Sequence, residues 1–336
     1  YKIEDGSQLK SAVDRTILHT KYIKSHLEQD QNEEVLLLKR FMDMTGTYGS
    51  EFKVGGFAGY LCELLILKYG TFENTLKEAS KWRYGHTVDL EGYGTAALFN
   101  DPLIVIDPTD MNRNVGAALR LDKMAEFIQS ARNYLASNNK KEYFYPVANK
   151  FAKDEILEEF QKRGSVVIAV KFNIPDIPLD TLHPQLRKTT ESLAEKLNDE
   201  DFSVYQSDYW SDEENTAVLL FEMTVSRLNN TKIHYGPKVF VKRGSQNFID
   251  KHGIENCYIL DDFVVSKISR EFVTASDFIN HVLSYENISL IKVGKNLLDN
   301  IITSYELLSL DDLDLSNKSF VTFLDDFLNP NKYLFR

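Results

Sequence analysis

The stretch SVVIAVKFNI (residues 165–174) decides the fold class, because its continuous apolar, β-branched run is typical of a β-strand. Along the chain from it, TLHPQLRKTTESLAEKLN (residues 181–198) has the pattern of a helix. FSVYQSDYW (residues 202–210) and NTAVLLFEMTVSRL (residues 215–228) are again typical of strands. Strands arranged around one helix predict an α+β unit.

The part that precedes this unit predicts helices instead. EEVLLLKRFMDM (residues 33–44) carries apolar residues over a wide sector, and from Val115 onward the chain repeats them at i, i+3, i+4 and i+7. We therefore expect a helical unit from Thr16 to about Asn139. The segment from Asn229 to about Thr274 interrupts the α+β pattern and is interpreted as an insertion or third lobe.

Composition bounds the class of protein. With 336 residues, of which 43% are hydrophobic, the chain is long enough for about two or three domains. No apolar run reaches the roughly 18–20 residues of a membrane helix, so no membrane partner is expected. Only Cys62 and Cys257 are present, in no metal or redox spacing, which favours a cytoplasmic protein. Because Tyr1 rather than Met comes first, we expect part of the natural protein to lie upstream.

Charge argues weakly against a nucleic-acid partner. The formal net charge is −11, whereas phosphate binding depends on Lys and Arg. The basic residues are nevertheless concentrated in YGPKVFVKRGSQNFIDKH (residues 235–252). Clustering of this kind can override the net charge.

Polar side chains crowd the segment AVDRTILHTKYI (residues 12–23). We predict that Thr16 caps a helix and that His19 lies in its first turn, where exposed N–H groups attract an anion. The alternative is that Thr16 only caps the helix and that His19 faces solvent or makes a local hydrogen bond.

A second basic residue, Arg113, follows a turn at Asp107–Pro108. We expect Thr109 or Asp110 to cap a helix and Arg113 to lie in its first turn, where the helix dipole disfavours a cation. Such a residue either pairs with Asp110 or binds an external ligand. Its planar guanidinium suits a phosphate or the edge of a base.

Lys39 and Tyr48 complete the candidates in this half. Lys39 borders an apolar sector, and an ordinary i, i+4 pair with Asp43 would account for it. Tyr48 lies in the glycine-containing segment TGTYGSEFKVGGFAGY (residues 45–60), for which a structural glycine loop is the simpler interpretation.

No metal site is predicted in this chain. The seven histidines lack the spacing of metal ligands. Asp312 and Asp314 form a D-x-D pattern, but they lie in an acidic turn with no preceding Gly-Ser strand. We interpret them as a solvated turn.

Five sequence blocks, in order and spacing, closely resemble the archaeal CCA-adding enzymes, which are class I tRNA nucleotidyltransferases. The blocks are SAVDRTILHTKYI (residues 11–23), LLLKRFMDMTGTYGSE (residues 36–51), GFAGYLCELLILKYGTFE (residues 56–73), LIVIDPTDMNRNVGAALR (residues 103–120) and HYGPKVFVKRGSQNFIDK (residues 234–251). They extend over the chain from Ser11 to about Lys251, so a chance match is improbable.

The resemblance implies a multi-domain α+β architecture. It consists of a nucleotidyltransferase head, a helical neck, an α+β body with a mixed or antiparallel sheet, and a small α/β tail inserted in the body. Residues 1–32 would be the end of the head, residues 33–146 the neck, residues 147–228 and 275–336 the body, and residues 229–274 the tail.

The resemblance also implies an activity and its site residues. Enzymes of the family add CCA to tRNA 3′ ends from CTP and ATP without a nucleic-acid template. By this resemblance Thr16, His19, Lys39 and Tyr48 would grip the triphosphate, and Arg113 would bind the edge of the cytosine or adenine. In the tail, Lys238, Lys242 and Arg243 would track phosphates of the tRNA elbow. The alternative for the tail is an exposed hairpin with buried phenylalanines.

The family's catalytic carboxylates are absent from this sequence. In the family they lie in the head, in a Gly-Ser strand-turn with D-x-D and on a following strand, and they bind Mg²⁺ for in-line nucleotidyl transfer. We therefore expect no catalytic residue here and an inactive chain unless a separate head polypeptide is supplied. The alternatives are a non-catalytic tRNA-binding protein or a related enzyme adding a poly(A)-type tail. A homodimer is a further expectation.

Overall fold

The computed structural model describes residues 12–51 and 53–335, which form two compact units. The first contains residues 12–150 and 329–335, and the second contains residues 151–328. Both combine helices with sheets, so the predicted α+β, multi-domain class is confirmed. Residues 1–11, with which the predicted end of a head begins, lie outside the described residues.

Helices dominate the first unit and enclose an aromatic core. They are α1 (Ala12–His26), α2 (Gln31–Met44), α3 (Gly59–Tyr69), α4 (Phe72–Ala79) and α5 (Leu121–Ala136). Phe41 of α2 is 0% exposed, and its ring contacts the rings of Phe72, Phe127, Tyr134 and Tyr143. This core holds α2, α4 and α5 together.

The same unit contains a small sheet where the sequence predicted the start of a helix. Its strands are β1 (His86–Val88), β2 (Leu103–Asp107) and β3 (Asp110–Asn114), with β1 parallel and β3 antiparallel to β2. The placement of Arg113 in a helix is therefore wrong, because it lies in β3. Asp107 accepts a hydrogen bond from the Thr109 N–H, and Asn114 accepts one from the Val105 N–H, so the two side chains close a hairpin.

The N-terminal helix also differs from the prediction. Because α1 begins at Ala12, Thr16 lies inside the helix rather than at its cap, and His19 lies beyond its first turn. The residues before Thr16 are compatible with a helix, so the capping preference of Thr16 did not set the start. The proposed anion site at the N-terminus of this helix is therefore wrong.

The second unit is built on a four-stranded antiparallel sheet. Its strands are β4 (Val166–Asn173), β5 (Ser203–Ser211), β6 (Thr216–Val225) and β10 (Glu306–Ser309), in the order β10-β4-β6-β5. The helices of this unit, apart from one described below, are α6 (Lys153–Arg163), α7 (Leu179–Asp199), α9 (Ala275–Val282), α10 (Leu298–Ser304) and α11 (Lys318–Leu328).

Both faces of this sheet are covered. Ile168, Val170 and Phe172 of β4 pack in one core with side chains of α7 and α9. Val167 and Ala169 pack in another core with side chains of α6 and α11. Burial on both faces explains why the strands are continuous apolar runs rather than alternating ones.

The segment after β6 forms a small α/β layer within the second unit. It consists of β7 (Thr231–Lys238), α8 (Lys242–His252), β8 (Cys257–Leu260) and β9 (Phe263–Ser269), with the antiparallel order β7-β9-β8. The chain enters and leaves this layer at neighbouring positions, because Arg227, just after β6, and Thr274, just before α9, form an antiparallel bridge. Among the described residues no helix is long and apolar enough to cross a membrane.

Candidate functional site

A buried carboxylate organises the polar residues of the first unit. Asp107, at the end of β2, is 0% exposed. Its Oδ2 accepts hydrogen bonds from His19 Nε2 at 2.9 Å and from Arg113 Nη1 at 2.8 Å. Its Oδ1 accepts from the N–H and the hydroxyl of Thr109, at 2.9 and 2.8 Å, and Tyr60 Oη lies 3.4 Å away. We call these five residues the Asp107 cluster.

The hydrogen bonds keep this carboxyl ionised despite its burial. Burial alone raises the pKa of a carboxyl, but in Asp107 the hydrogen bonds from His19 and Thr109 outweigh it and hold the pKa far below the ordinary value. A permanent negative charge therefore lies between His19 and Arg113. The alternative pairing of Arg113 with Asp110 does not occur; instead Arg15 Nη2 lies 3.8 Å from Asp110.

His19 connects this cluster to the start of α3. Its ring stacks on Tyr60, with ring centroids 3.8 Å apart and an interplanar angle of 9°. Tyr60 is the second residue of α3, whose N-cap Ala58 supplies no side-chain acceptor. The first N–H groups of a helix have no intrahelical partner and carry partial positive charge. His19 therefore lies beside a helix end that favours an anion.

Lys39 and Tyr48 lie close to the first residue of the same helix. A Cβ atom added to Gly59, the first residue of α3, would lie 3.4 Å from Tyr48 Oη and 3.5 Å from Lys39 Nζ. Lys39 Nζ donates to Glu63 Oε1 at 2.9 Å rather than to Asp43, so the i, i+4 interpretation is wrong. Although burial opposes it, the hydrogen bond to Glu63 raises the pKa of Lys39, which keeps the amine charged.

The loop that carries Tyr48 is closed by tight backbone contacts. The Gly56 N–H donates to Gly49 O at 2.7 Å, and the Phe57 N–H donates to Thr47 O at 2.8 Å. A Cβ on Gly56 would lie 2.2 Å from the Thr47 carbonyl oxygen, a position that backbone atoms cannot vacate easily. Only glycine fits there, so the predicted structural glycine loop also positions Tyr48.

Gly56→Ala should therefore lower the free energy of unfolding by about 1–3 kcal/mol, as overpacking of a tight site does. The matched control is Gly59→Ala, whose added methyl makes only ordinary contacts and favours helix. Urea denaturation of both variants checks this. A Gly56→Ala variant as stable as Gly59→Ala would contradict it.

Thr16 is separated from the other candidates on α1. It is exposed and lies with Ile17, Thr20 and Lys21 along a groove on the helix surface. His19 and Arg15 lie one turn apart on the face that meets Asp107 and Asp110. The structure thus brings together His19 with Arg113, and Lys39 with Tyr48, but not Thr16 with either pair.

In the small α/β layer, the basic candidates surround an exposed apolar tip. Phe240 is 81% exposed and lies between Lys238 and Lys242 in the sequence, whereas Phe248 packs against His234 and His252. Lys238 pairs with Asp262 at 2.7 Å. Lys242 and Arg243 are exposed in the first turn of α8. The simple exposed hairpin is therefore wrong, because a strand leads into a helix.

Sequence reasoning missed three residues of the site. Asp107 was recognised only as part of a turn, although an acidic residue ending the apolar strand sequence LIVID was a usable signal. Glu63 is the one acidic residue in the α3 sequence GYLCELLILKY, which also marks it. For the ring of Tyr60 no local signal exists, since its partner His19 is distant in sequence.

The described residues offer no metal centre. Within residues 12–51 and 53–335, no three His, Cys, Asp or Glu side chains are grouped so that they could hold a metal ion. The Asp107 carboxylate is fully engaged by hydrogen-bond donors, which makes it unsuitable as a cation ligand.

Two family models match the chain. One is described as "tRNA nucleotidyltransferase, second domain" and matches residues 33–145. The other is described as "CCA-adding enzyme, C-terminal domain" and matches residues 163–310. The Asp107 cluster residues from Tyr60 onward, together with Lys39 and Tyr48, lie in the first match, and the small α/β layer lies in the second.

Relatives match over almost the whole chain. The CCA-adding enzyme of Methanothermobacter thermautotrophicus is 45% identical over 337 residues, covering 100% of this chain and 73% of the relative. That of Methanosarcina acetivorans is 38% identical over 312 residues, covering 92% of this chain and 67% of the relative. That of Archaeoglobus fulgidus is 34% identical, covering 92% of this chain and 69% of the relative. The chain therefore belongs to the family of CCA-adding enzymes.

Proposed function

We propose that this chain binds CTP or ATP and tRNA for the untemplated addition of CCA to tRNA 3′ ends. The observation that carries the proposal is the arrangement around the first turn of α3. His19 stacks on Tyr60, the second residue of this helix, and Lys39 and Tyr48 lie beside its first residue, Gly59. Unpaired N–H groups, two basic side chains and a hydroxyl at one helix end suit a triphosphate.

Arg113 is proposed to bind the edge of the incoming base. Its Nη1 is held by Asp107, so Nε and Nη2 remain available to acceptors on cytosine or adenine. Its side chain is 31% exposed and therefore reachable by a ligand. A guanidinium fixed at one nitrogen presents the other donors in a constant direction.

Thr16 is proposed to contact the triphosphate from the groove on α1 that it shares with Thr20 and Lys21. Because it is apart from His19, this contact requires a ligand that extends across the exposed face of α1. We also propose the neck, body and tail ranges given above as functional divisions, with residues 33–146 carrying most of the nucleotide site.

The Mg²⁺ ions of the reaction are not assigned to residues of this chain. Among the described residues no three His, Cys, Asp or Glu side chains are grouped to hold a metal ion. We propose that the metal-binding carboxylates belong to the catalytic head of the family, supplied as a separate part. When bound, the ions would activate the 3′-hydroxyl and neutralise the triphosphate. A homodimer and a cytoplasmic location stay predictions.

The tail is proposed to bind tRNA through its basic tip. Lys242 and Arg243 occupy the N-terminal turn of α8, where the helix dipole disfavours cations, so an external anion would stabilise them. The exposed Phe240 beside them suits contact with an RNA base or ribose. Phosphate contacts of this kind recognise RNA by shape.

We expect the double change Lys242→Ala and Arg243→Ala to weaken tRNA binding and to reduce the slope of log K against log salt by about 0.7–0.9 per lost phosphate contact. Lys251→Ala, at the opposite end of α8, is the matched control. Filter binding of tRNA at several salt concentrations measures both. An unchanged slope in the double variant would exclude this contact.

The decisive test is incorporation of labelled CTP and ATP into a tRNA that lacks CCA, with Mg²⁺, with and without a separately supplied catalytic head. We expect incorporation only when the head is present, in the order C, C, A. Incorporation by the chain alone would place the catalytic carboxylates in this chain. Addition of A alone would indicate a poly(A)-type enzyme, and tRNA binding without nucleotide binding would indicate a non-catalytic tRNA-binding protein.

A further inference from the structure

The two oxygens of the Asp107 carboxylate serve different groups. Oδ1 is held by Thr109 of its own turn, through both the N–H and the hydroxyl. Oδ2 is shared by His19 and Arg113, which come from α1 and β3. Because the side chain is fully buried, these groups rather than water determine its orientation.

We propose that Asp107 is a positioning residue that locks the two ends of the nucleotide site to each other, His19 at the triphosphate and Arg113 at the base. This inference rests on the proposed function. Asp107 itself is 0% exposed, so it would act on the nucleotide only through these two side chains. Because His19 Nε2 and Arg113 Nη1 both donate to Oδ2, this one atom fixes the distance between the two side chains. A nucleotide must then contact His19 and Arg113 at that fixed separation.

The geometry determines which atoms face the nucleotide. A carboxylate that accepts from Nε2 keeps a proton on that atom and leaves Nδ1 as the ring nitrogen that faces the ligand, where it donates to a phosphate oxygen when it carries a proton as well. Tyr60 covers one face of the ring, which prevents the imidazole from rotating. Arg113 keeps Nη1 on Asp107 and presents Nε and Nη2. Without the carboxylate, neither side chain has this orientation.

The test uses two probes and calorimetric titration of the 336-residue chain. Tripolyphosphate reports on the His19 end, and the additional affinity of CTP over tripolyphosphate reports on the Arg113 end. We expect Asp107→Asn to weaken both by about tenfold, the range of one charge-assisted hydrogen bond. Charge alone predicts the opposite sign for tripolyphosphate, because removal of a negative charge should strengthen the binding of a polyanion.

Non-additivity separates positioning from a general loss of structure. In a His19→Ala background, Asp107→Asn should cause no further loss of tripolyphosphate affinity, and in an Arg113→Ala background no further loss of the CTP increment. The control is Asp122→Asn, which removes an exposed carboxylate from another arginine, Arg120, and should leave both affinities unchanged. Additive losses in both backgrounds would overturn the proposal.

A second measurement uses the unaltered chain, so it remains informative if the Asp107→Asn variant does not fold. Nitrogen-15 NMR of the unaltered chain should show a proton on His19 Nε2, the atom that lies on Asp107. A ring with its only proton on Nδ1 would overturn the lock. If the unaltered chain binds neither probe, the proposed function fails and this inference fails with it. If it binds both and Asp107→Asn leaves both affinities intact, only the inference fails.

Discussion

A chain with both His19→Ala and Lys39→Ala should bind CTP and ATP about 10²–10⁴-fold more weakly than the unaltered chain. Each side chain is expected to donate a charge-assisted hydrogen bond to the triphosphate, and each such bond contributes about 1.5–3 kcal/mol. His19 contacts the ring of Tyr60, whereas Lys39 lies beside Gly59 and pairs with Glu63, so the two share no partner and their losses should be nearly additive. Calorimetric titration with the Mg²⁺ nucleotide measures the change.

Lys68→Ala is the matched control for this result. Lys68 is an exposed lysine in the last turn of α3, the end of the same helix that repels an anion. Its removal deletes one lysine charge, as Lys39→Ala does, but should leave nucleotide affinity within about twofold, since distant exposed charges are screened by salt. Equal losses in the two variants would mean that general charge, not the proposed site, attracts the nucleotide.

Phe41→Ala should lower the free energy of unfolding of the first unit by about 3–5 kcal/mol, the range for a fully buried phenylalanine. Phe41 is 0% exposed and makes edge or stacked contacts with rings from α4, α5 and the segment after α5. Its removal leaves a cavity that these rigid rings cannot fill. Urea denaturation measures the loss through the fluorescence of Trp82, which is buried beside Phe127.

The chain offers a matched control for this variant as well. Its second tryptophan, Trp210, lies in the other unit, so Trp210→Phe in all samples leaves Trp82 as the only probe. Phe240→Ala removes the same side chain from an exposed position and should change the free energy of unfolding by no more than about 0.5 kcal/mol. If Phe41→Ala lowers the free energy of unfolding no more than Phe240→Ala does, the stability of the first unit does not depend on this aromatic core.

The apolar pattern of the sequence predicted the long elements correctly, because in each of them the pattern of buried residues is continuous over many positions. The apolar run beginning at Ser165 became β4, and the pattern at residues 181–198 became most of α7. Local rules failed where a distant partner determines the structure. The helix predicted around Arg113 became β3 because hydrogen bonds of Asp107 and Asn114 favour a hairpin over a capped helix.

The candidate residues were easier to identify than their partners. His19, Lys39 and Arg113 were named through their types and the family resemblance, yet Lys39 was paired with the wrong acid. Its partner Glu63 lies on α3, and no spacing rule for a single helix relates the two. The Asp107 cluster joins residues 88 positions apart, a proximity that only the folded chain creates.

The neighbouring exit and entry points of the small α/β layer make that layer a replaceable module. The Leu228 N–H donates to Val273 O and the Arg270 N–H donates to Asn230 O, both at 2.9 Å, so the two connecting strands form a narrow stalk. Closing a loop across such a stalk depends only weakly on how many residues it contains. The module should therefore tolerate lengthening, shortening or exchange. Such changes would alter the length of RNA that the protein contacts, while the four-stranded sheet keeps its structure.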